Sequence, residues 1–201
     1  MKRFFLLSIL FLTTSFYGQK TYVFDYLIEY KYIGSEGDKE KTIYLLTNSS
    51  DNSYRFVTHD YNETTFQVYL RDQKQLYSSA VINKSGFFKA EKIEMPCESV
   101  LLYKDKVNLK RYIFMNNSDT LIGDQKYKNY SMQYRKAKEA KKYKTGKSFY
   151  IVENGTEFHT PLLIFSSQFD VAVTSEIFPN GIAKEIYNCS EFGVTSHYKL
   201  V

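Results

Sequence analysis

The sequence predicts a mainly β protein, a large curved antiparallel sheet arranged as a half-barrel or sandwich with one or two short helices. Residues 21–33, TYVFDYLIEYKYI, put an apolar and aromatic row on the even positions Tyr22, Phe24, Tyr26, Ile28, Tyr30 and Tyr32. The odd positions of the same stretch carry Asp25, Glu29 and Lys31, and side chains that alternate in this way belong to a strand with one dry face. Later segments repeat the pattern between brief turns, to a total of about ten strands, which is the layout of a large antiparallel sheet. The chain also holds 19 Tyr and 16 Phe but no Trp, an excess that suits pleated, half-buried surfaces.

Taken in order, the turn at 34–38 (GSEGD) leads to a second strand at 42–47. The Asn, Ser and Asp cluster at 48–53 is turn chemistry, because these side chains bond their own backbone in place of a ladder. Strands at 54–59 and 65–71 follow, the latter with Phe66, Val68 and Leu70 facing one way and Thr65, Gln67 and Arg71 the other. Strands at 75–82 and 86–93 flank Asn83-Lys84-Ser85 as a hairpin. The meander resumes at 107–115, with Val107, Leu109, Ile113 and Met115 on one face, and continues at 120–122 and 127–134.

Residues 135–143 are rich in good helix formers, with Gly146 placed to stop a helix; a charged hairpin arm is the alternative. After a strand at 147–152, Thr160-Pro161 reads as a helix start, with Leu162, Phe165 and Phe169 on one face, or as a strand. Pro179-Asn180-Gly181 is a turn, and 182–189 with 194–201 form a closing hairpin.

Residues 1–19, MKRFFLLSILFLTTSFYGQ, have a basic start and a short apolar block. The block suits an export signal, since a membrane-spanning helix needs roughly 20 apolar residues. The expectation is a signal peptide over 1–19, one β-rich domain over 20–201, and a product that is periplasmic or secreted and not membrane-anchored. The net charge of +5 is concentrated in 135–147, where seven basic residues accompany one acidic residue. Such a distribution gives no broad nucleic-acid-binding field. Within the basic segment, Lys138, Lys141, Lys142 and Lys144 are candidates for contact with an anionic surface, or form a solvated helix face.

Cys97 and Cys189 are the only cysteines, and in an oxidising compartment they can pair as a disulfide or remain two buried thiols. No GxSxG, HExxH, P-loop, GxGxxG or CxxC motif occurs, so no catalytic residue, metal ligand or cofactor is assigned. His59, His159 and His197 lie far apart in sequence, and only the fold can bring them together.

Two segments, 119–134 (DTLIGDQKYKNYSMQY) and 178–191 (FPNGIAKEIYNCSE), resemble parts of small exported β-rich proteins of the Bacteroidota, including the GLPGLI group. Pro179-Asn180-Gly181-Ile182 is the nearest counterpart of that group's hexapeptide. The group resembles, more distantly, the curved-sheet lipoprotein carriers of the periplasm. The resemblance implies export and a β-rich fold; it implies no reaction and carries over no functional residue.

Three functional readings follow. The first is a non-enzymatic exported protein whose curved sheet binds an apolar or envelope-derived ligand, with Tyr26, Tyr30 and Tyr32 as ligand-binding residues on an apolar floor. The second is a structural or interaction protein of the cell surface. The third is a hydrolase whose dispersed site draws on the histidines.

Overall fold

The computed structural model describes residues 20–34, 39–74, 76–95, 100–102, 110–175, 177 and 179–201. The fold is mainly β, as the alternation predicts. The twelve strands are β1 (Tyr26–Ile33), β2 (Lys41–Thr47), β3 (Tyr54–Asp60), β4 (Thr65–Asp72), β5 (Leu76–Asn83), β6 (Val100–Leu102), β7 (Tyr112–Asn116), β8 (Thr120–Ile122), β9 (Gln125–Tyr134), β10 (Lys147–Val152), β11 (Ala183–Ser190) and β12 (Gly193–Leu200). All belong to one antiparallel sheet in the order β6-β5-β4-β3-β2-β1-β12-β11-β10-β9-β7, with β8 paired to β9. Three short helices complete the described residues: α1 (Lys84–Phe87), α2 (Ala137–Tyr143) and α3 (Ser166–Thr174).

Because β1 pairs with both β2 and β12, the first strand sits inside the sheet and joins its two halves. Tyr30 lies opposite Ile43 on one side and Leu200 on the other. One face of the sheet collects Ile28, Tyr30, Ile43, Leu45, Val57, Phe114, Met132, Tyr150, Val152, Ile186 and Tyr198 in a single cluster with Leu162, Leu163, Phe169, Val171 and Ala172 from the region of α3. The opposite face carries a smaller cluster of Phe56, Phe66, Val68 and Phe87, against which Phe24, Tyr44, Leu46 and Leu70 pack.

The sheet is strongly curled. Helix α3 touches β7, and its Asp170 pairs with Arg71 of β4. In sheet order those strands are eight spacings apart, about 38 Å if the sheet were flat. A helix of nine residues is only about 14 Å long. The two halves therefore bend toward each other around α3, and the face beneath the helix is the inside of an open half-barrel.

Several local expectations are corrected. The even row 22–32 does not share one face: Tyr26, Ile28, Tyr30 and Tyr32 lie on the inner side, whereas Tyr22 packs edge-on against Tyr54 and Phe24 packs at a tilt against Phe56 across the outer side. The ladder ends near Asp25, whose backbone N–H still donates to the Thr47 carbonyl while its carboxylate accepts from the Ser49 backbone N–H and hydroxyl on the β2–β3 turn. Upstream of it, the Tyr54 hydroxyl, 3.3 Å from the Val23 nitrogen and 2.7 Å from its carbonyl oxygen, serves that backbone in place of a neighbouring strand.

The strand expected at 86–93 gives way to α1, because Phe87 gains more by turning back onto Phe66, at a ring separation of 5.2 Å, than by extending the hairpin. Thr160 caps no helix; its hydroxyl donates to the Asn52 carbonyl, and the chain runs without regular structure to Phe165, where α3 begins. In β7 the buried residue is Phe114, and Met115 is exposed; residues 103–109, which include Val107 and Leu109, lie outside the described residues. Helix α2 ends on Lys144 in the left-handed region (φ 51°), not on Gly146. Gly146 instead lies against the Cys189 carbonyl, where a Cβ would collide.

Candidate functional site

The segment 160–174 covers the inner face. Leu162 and Leu163 are fully buried, and the Gly181 N–H donates to the His159 carbonyl at 2.8 Å, fixing where the segment enters. Helix α3 is started by a reciprocal pair: the Gln168 N–H donates to the Phe165 carbonyl at 3.0 Å, and the Phe165 N–H donates to the Gln168 side-chain oxygen at 3.1 Å. Its end is closed by the Ser175 hydroxyl donating to the Val171 carbonyl at 2.6 Å.

Beneath α3 lie two buried arginines. Arg55 of β3 and Arg71 of β4 are direct neighbours in the ladder, 4% and 2% exposed. Arg71 makes an ion pair with Asp170 of α3, itself 6% exposed. The Phe169 ring sits 5.0 Å from the Arg55 guanidinium and 5.6 Å from that of Arg71. The Arg55 Nε and Nη1 groups have no hydrogen-bond partner among the described residues. Burial, and then the neighbouring Arg71 charge, push the Arg55 guanidinium down to about 9. Tyr150, across the half-barrel on β10, is also buried, and burial raises its hydroxyl.

At one end of α3 the inner face opens into a cleft of about 270 Å3 lined by Tyr32, Lys41, Thr42, Ile43, His59, Asp60, Ile164, Phe165 and Tyr198. Its volume lies just under the range of about 300 to 1,000 Å3 usual for small-molecule sites. The Tyr32 and Tyr198 rings are 4.9 Å apart; burial, followed by the proximity of Tyr32, raises the Tyr198 hydroxyl to about 12. Burial lowers His59 to about 4, with Arg55 and Lys41 adding to the effect. His59 is therefore neutral at physiological pH, and Lys41 is the cation at this mouth. A second cleft, about 480 Å3, is formed on the outer side by residues including Lys20, Tyr22, Tyr54 and Asp72; there Lys20 pairs with Asp72 and the Tyr22 hydroxyl donates to the same carboxylate at 2.8 Å.

The three tyrosines singled out from the sequence occupy different settings. Tyr32 lines the cleft, Tyr30 is fully buried in the core, and Tyr26 is 45% exposed, its ring 4.5 Å from His159. The histidines do not converge. His59 faces Ile43 and Gln67 in the ladder; His159 lies 2.9 Å from the Thr47 hydroxyl, about 13 Å further along β2; His197 lies over Tyr187 on the outer face.

Cys189 is half-buried on β11, and Cys97 lies outside the described residues, as does any bridge between them. Lys138, Lys141, Lys142 and Lys144 are exposed on and just after α2, which buries no residue. Lys144 pairs with Glu191 at 2.9 Å.

Periodicity did not mark Arg55, Arg71 or Asp170 as a site. Its only trace in the sequence is that both arginines fall on the same side of neighbouring strands as the apolar Val57 and Tyr69.

Fold and site together define an open, curled antiparallel sheet whose inner face is covered by α3 and opens to solvent at a cleft of mixed aromatic and polar lining. No family model matches the chain, and no curated protein matches it. Among solved structures, the chain is similar to the Pseudomonas aeruginosa MucA/MucB complex, at 7% identity and a TM-score of 0.41, over 87% of this chain and 49% of that one. It is similar also to MucB in complex with MucA(peri), at 8% identity and a TM-score of 0.39, over 87% and 47%. The chain spans about half the length of the structures it matches, and likeness this low bears on neither partner nor ligand.

Proposed function

We propose that this chain is an exported, non-enzymatic protein that holds an apolar or envelope-derived ligand on the inner face of its half-barrel. The observation that carries the reading is the cleft where Tyr32, Ile43, Ile164, Phe165 and Tyr198 give the inner face an aromatic and aliphatic wall open to solvent, with Lys41, Thr42, His59 and Asp60 at its polar side. Its volume suits a single chain or ring better than a whole lipid. Export is supported by the basic and apolar character of residues 1–19. Among the described residues, no helix is long and apolar enough to cross a membrane. Of the three histidines only His59 lines this cleft, beside Asp60, and the hydrolase with a dispersed site stands as the alternative reading.

The test is mass analysis of organic extracts from the protein purified from its own host. The wild type is expected to yield a bound apolar species. Tyr32→Ser, at the mouth, is expected to lose it at a stability cost under about 1.5 kcal/mol, because Tyr32 is only partly buried. A ligand-free wild type, or a Tyr32→Ser variant that retains its full load, would contradict the proposal.

A further inference from the structure

Two guanidiniums and one carboxylate are buried together under α3. A dry cation without a hydrogen-bonded counter-charge is costly, and Asp170 provides for Arg71. Arg55 has Phe169 over its guanidinium and, at Nε and Nη1, no acceptor among the described residues. Those two groups lie on opposite edges of one planar guanidinium, and each is an N–H donor that can make a charge-assisted hydrogen bond to an oxygen of a carboxylate or phosphate. Arg55 and His59 both belong to the inner side of β3, so the guanidinium lies along the strand from the cleft mouth.

We propose that Arg55, seconded by Arg71, is the receiving site for an oxyanion, and that Asp170 on α3 is the internal carboxylate standing beside it until that oxyanion arrives. This rests on the ligand-holding reading above and gives the ligand a chemistry: an amphiphile with an anionic carboxylate or phosphate head and an apolar chain. The head enters beneath α3 as Asp170 gives up part of its hold on Arg71. The chain lies toward Ile43, Ile164 and Tyr198. Oxyanions carried by a lipid and oxyanions free in solution share this chemistry, and the experiment separates them.

Binding of dodecyl phosphate, laurate, the uncharged dodecyl maltoside and inorganic phosphate is measured by calorimetry on the wild type, Arg55→Met and Asp170→Asn. The wild type is expected to bind the two anionic chains at least about tenfold more tightly than the uncharged one, as charge-assisted hydrogen bonds require. Arg55→Met is expected to erase that advantage while its melting temperature holds or rises, since it removes unpartnered buried donors. Asp170→Asn is expected to tighten binding of both anionic chains several-fold. Inorganic phosphate binding as tightly as dodecyl phosphate would assign the site to a free anion; binding weaker by tenfold or more would assign it to the amphiphile.

Equal binding of charged and uncharged chains by the wild type overturns this inference and leaves the ligand-holding reading standing. Failure of every probe to bind overturns both. If Arg55→Met does not fold, the wild-type comparison and Asp170→Asn still decide the matter, and weaker or unchanged anion binding by Asp170→Asn counts against the site.

Discussion

The two faces of the sheet solve the same problem in different ways. Each must cover a row of apolar side chains, and each also holds a buried acid. On the outer face the cover is local: α1 lies just after β5 and its Phe87 turns back onto Phe66, while Asp72 is served by Lys20, whose side chain is 44% exposed, and by Tyr22. On the inner face the cover arrives from about a hundred residues away, and the Arg71–Asp170 pair that ties it down is dry on both sides. A pair with one end in water costs little to form and contributes little. A fully dry pair beside a second arginine is expensive, and apolar residues of similar volume would cover a core at least as well. The inner face is thus the one that departs from what stability alone requires.

Polar substitution at the matching depth separates the faces most strongly. Ile28, 6% exposed in the inner cluster, cannot accept a carboxylate, and Ile28→Asp is expected to cost more than about 4 kcal/mol and to leave no cooperative thermal transition. Removing the covers comes next. Phe169→Ala is expected to cost about 3 to 5 kcal/mol, because it opens a cavity against both guanidiniums. Phe87→Ala is expected to fall at or below the bottom of that range, since the exposed Phe88 ring, 5.0 Å away, can move into the space. Chemical denaturation of the two variants side by side checks the ranking; equal losses would show that the faces are covered alike.

Acid sharpens the same contrast. His59 is lowered to about 4 in the folded protein by burial and by Arg55 and Lys41, from an ordinary value of 6.5. Between those values the unfolded chain binds more protons than the folded one, so stability is full above pH 6.5 and is lost as pH falls toward 4, by about 3 kcal/mol in all. Burial lowers His159 also, which adds loss of the same sign. Denaturation of the wild type and His59→Gln at pH 7 and pH 4.5 is expected to show a smaller loss in the variant. An identical pH dependence would mean that His59 is wetter than its position implies.

Much of the sheet was legible because alternation is a local signal. β8 and β10 match their expected bounds, and β2, β3, β4 and β9 lie within two residues of theirs. Where the reading failed, a distant partner decided the outcome. Phe87 turned toward Phe66, Thr160 toward Asn52, and Phe24 toward Phe56, and none of these pairings leaves a periodic trace. The even row of β1 was read as one floor because six uncharged positions in alternation suggest one dry face; the Asp25 bonds to Ser49 that divide it come from a different segment. Tyr32 at the cleft was among the residues chosen for its pattern. Arg55, Arg71 and Asp170 were not, because an arginine on an alternating strand looks like any solvent-facing residue until the curl of the sheet brings α3 above it.

The central claim is that the inner face, and not the outer one, receives a ligand. A photo-reactive benzoylphenylalanine placed at Ile164, beside the cleft, and separately at Ile82, which packs against the outer cluster, tests this in the native host. After irradiation and purification, mass analysis of the two proteins is expected to find an apolar adduct at position 164 and none at 82. Adducts at position 82 alone, or at neither, would contradict the account.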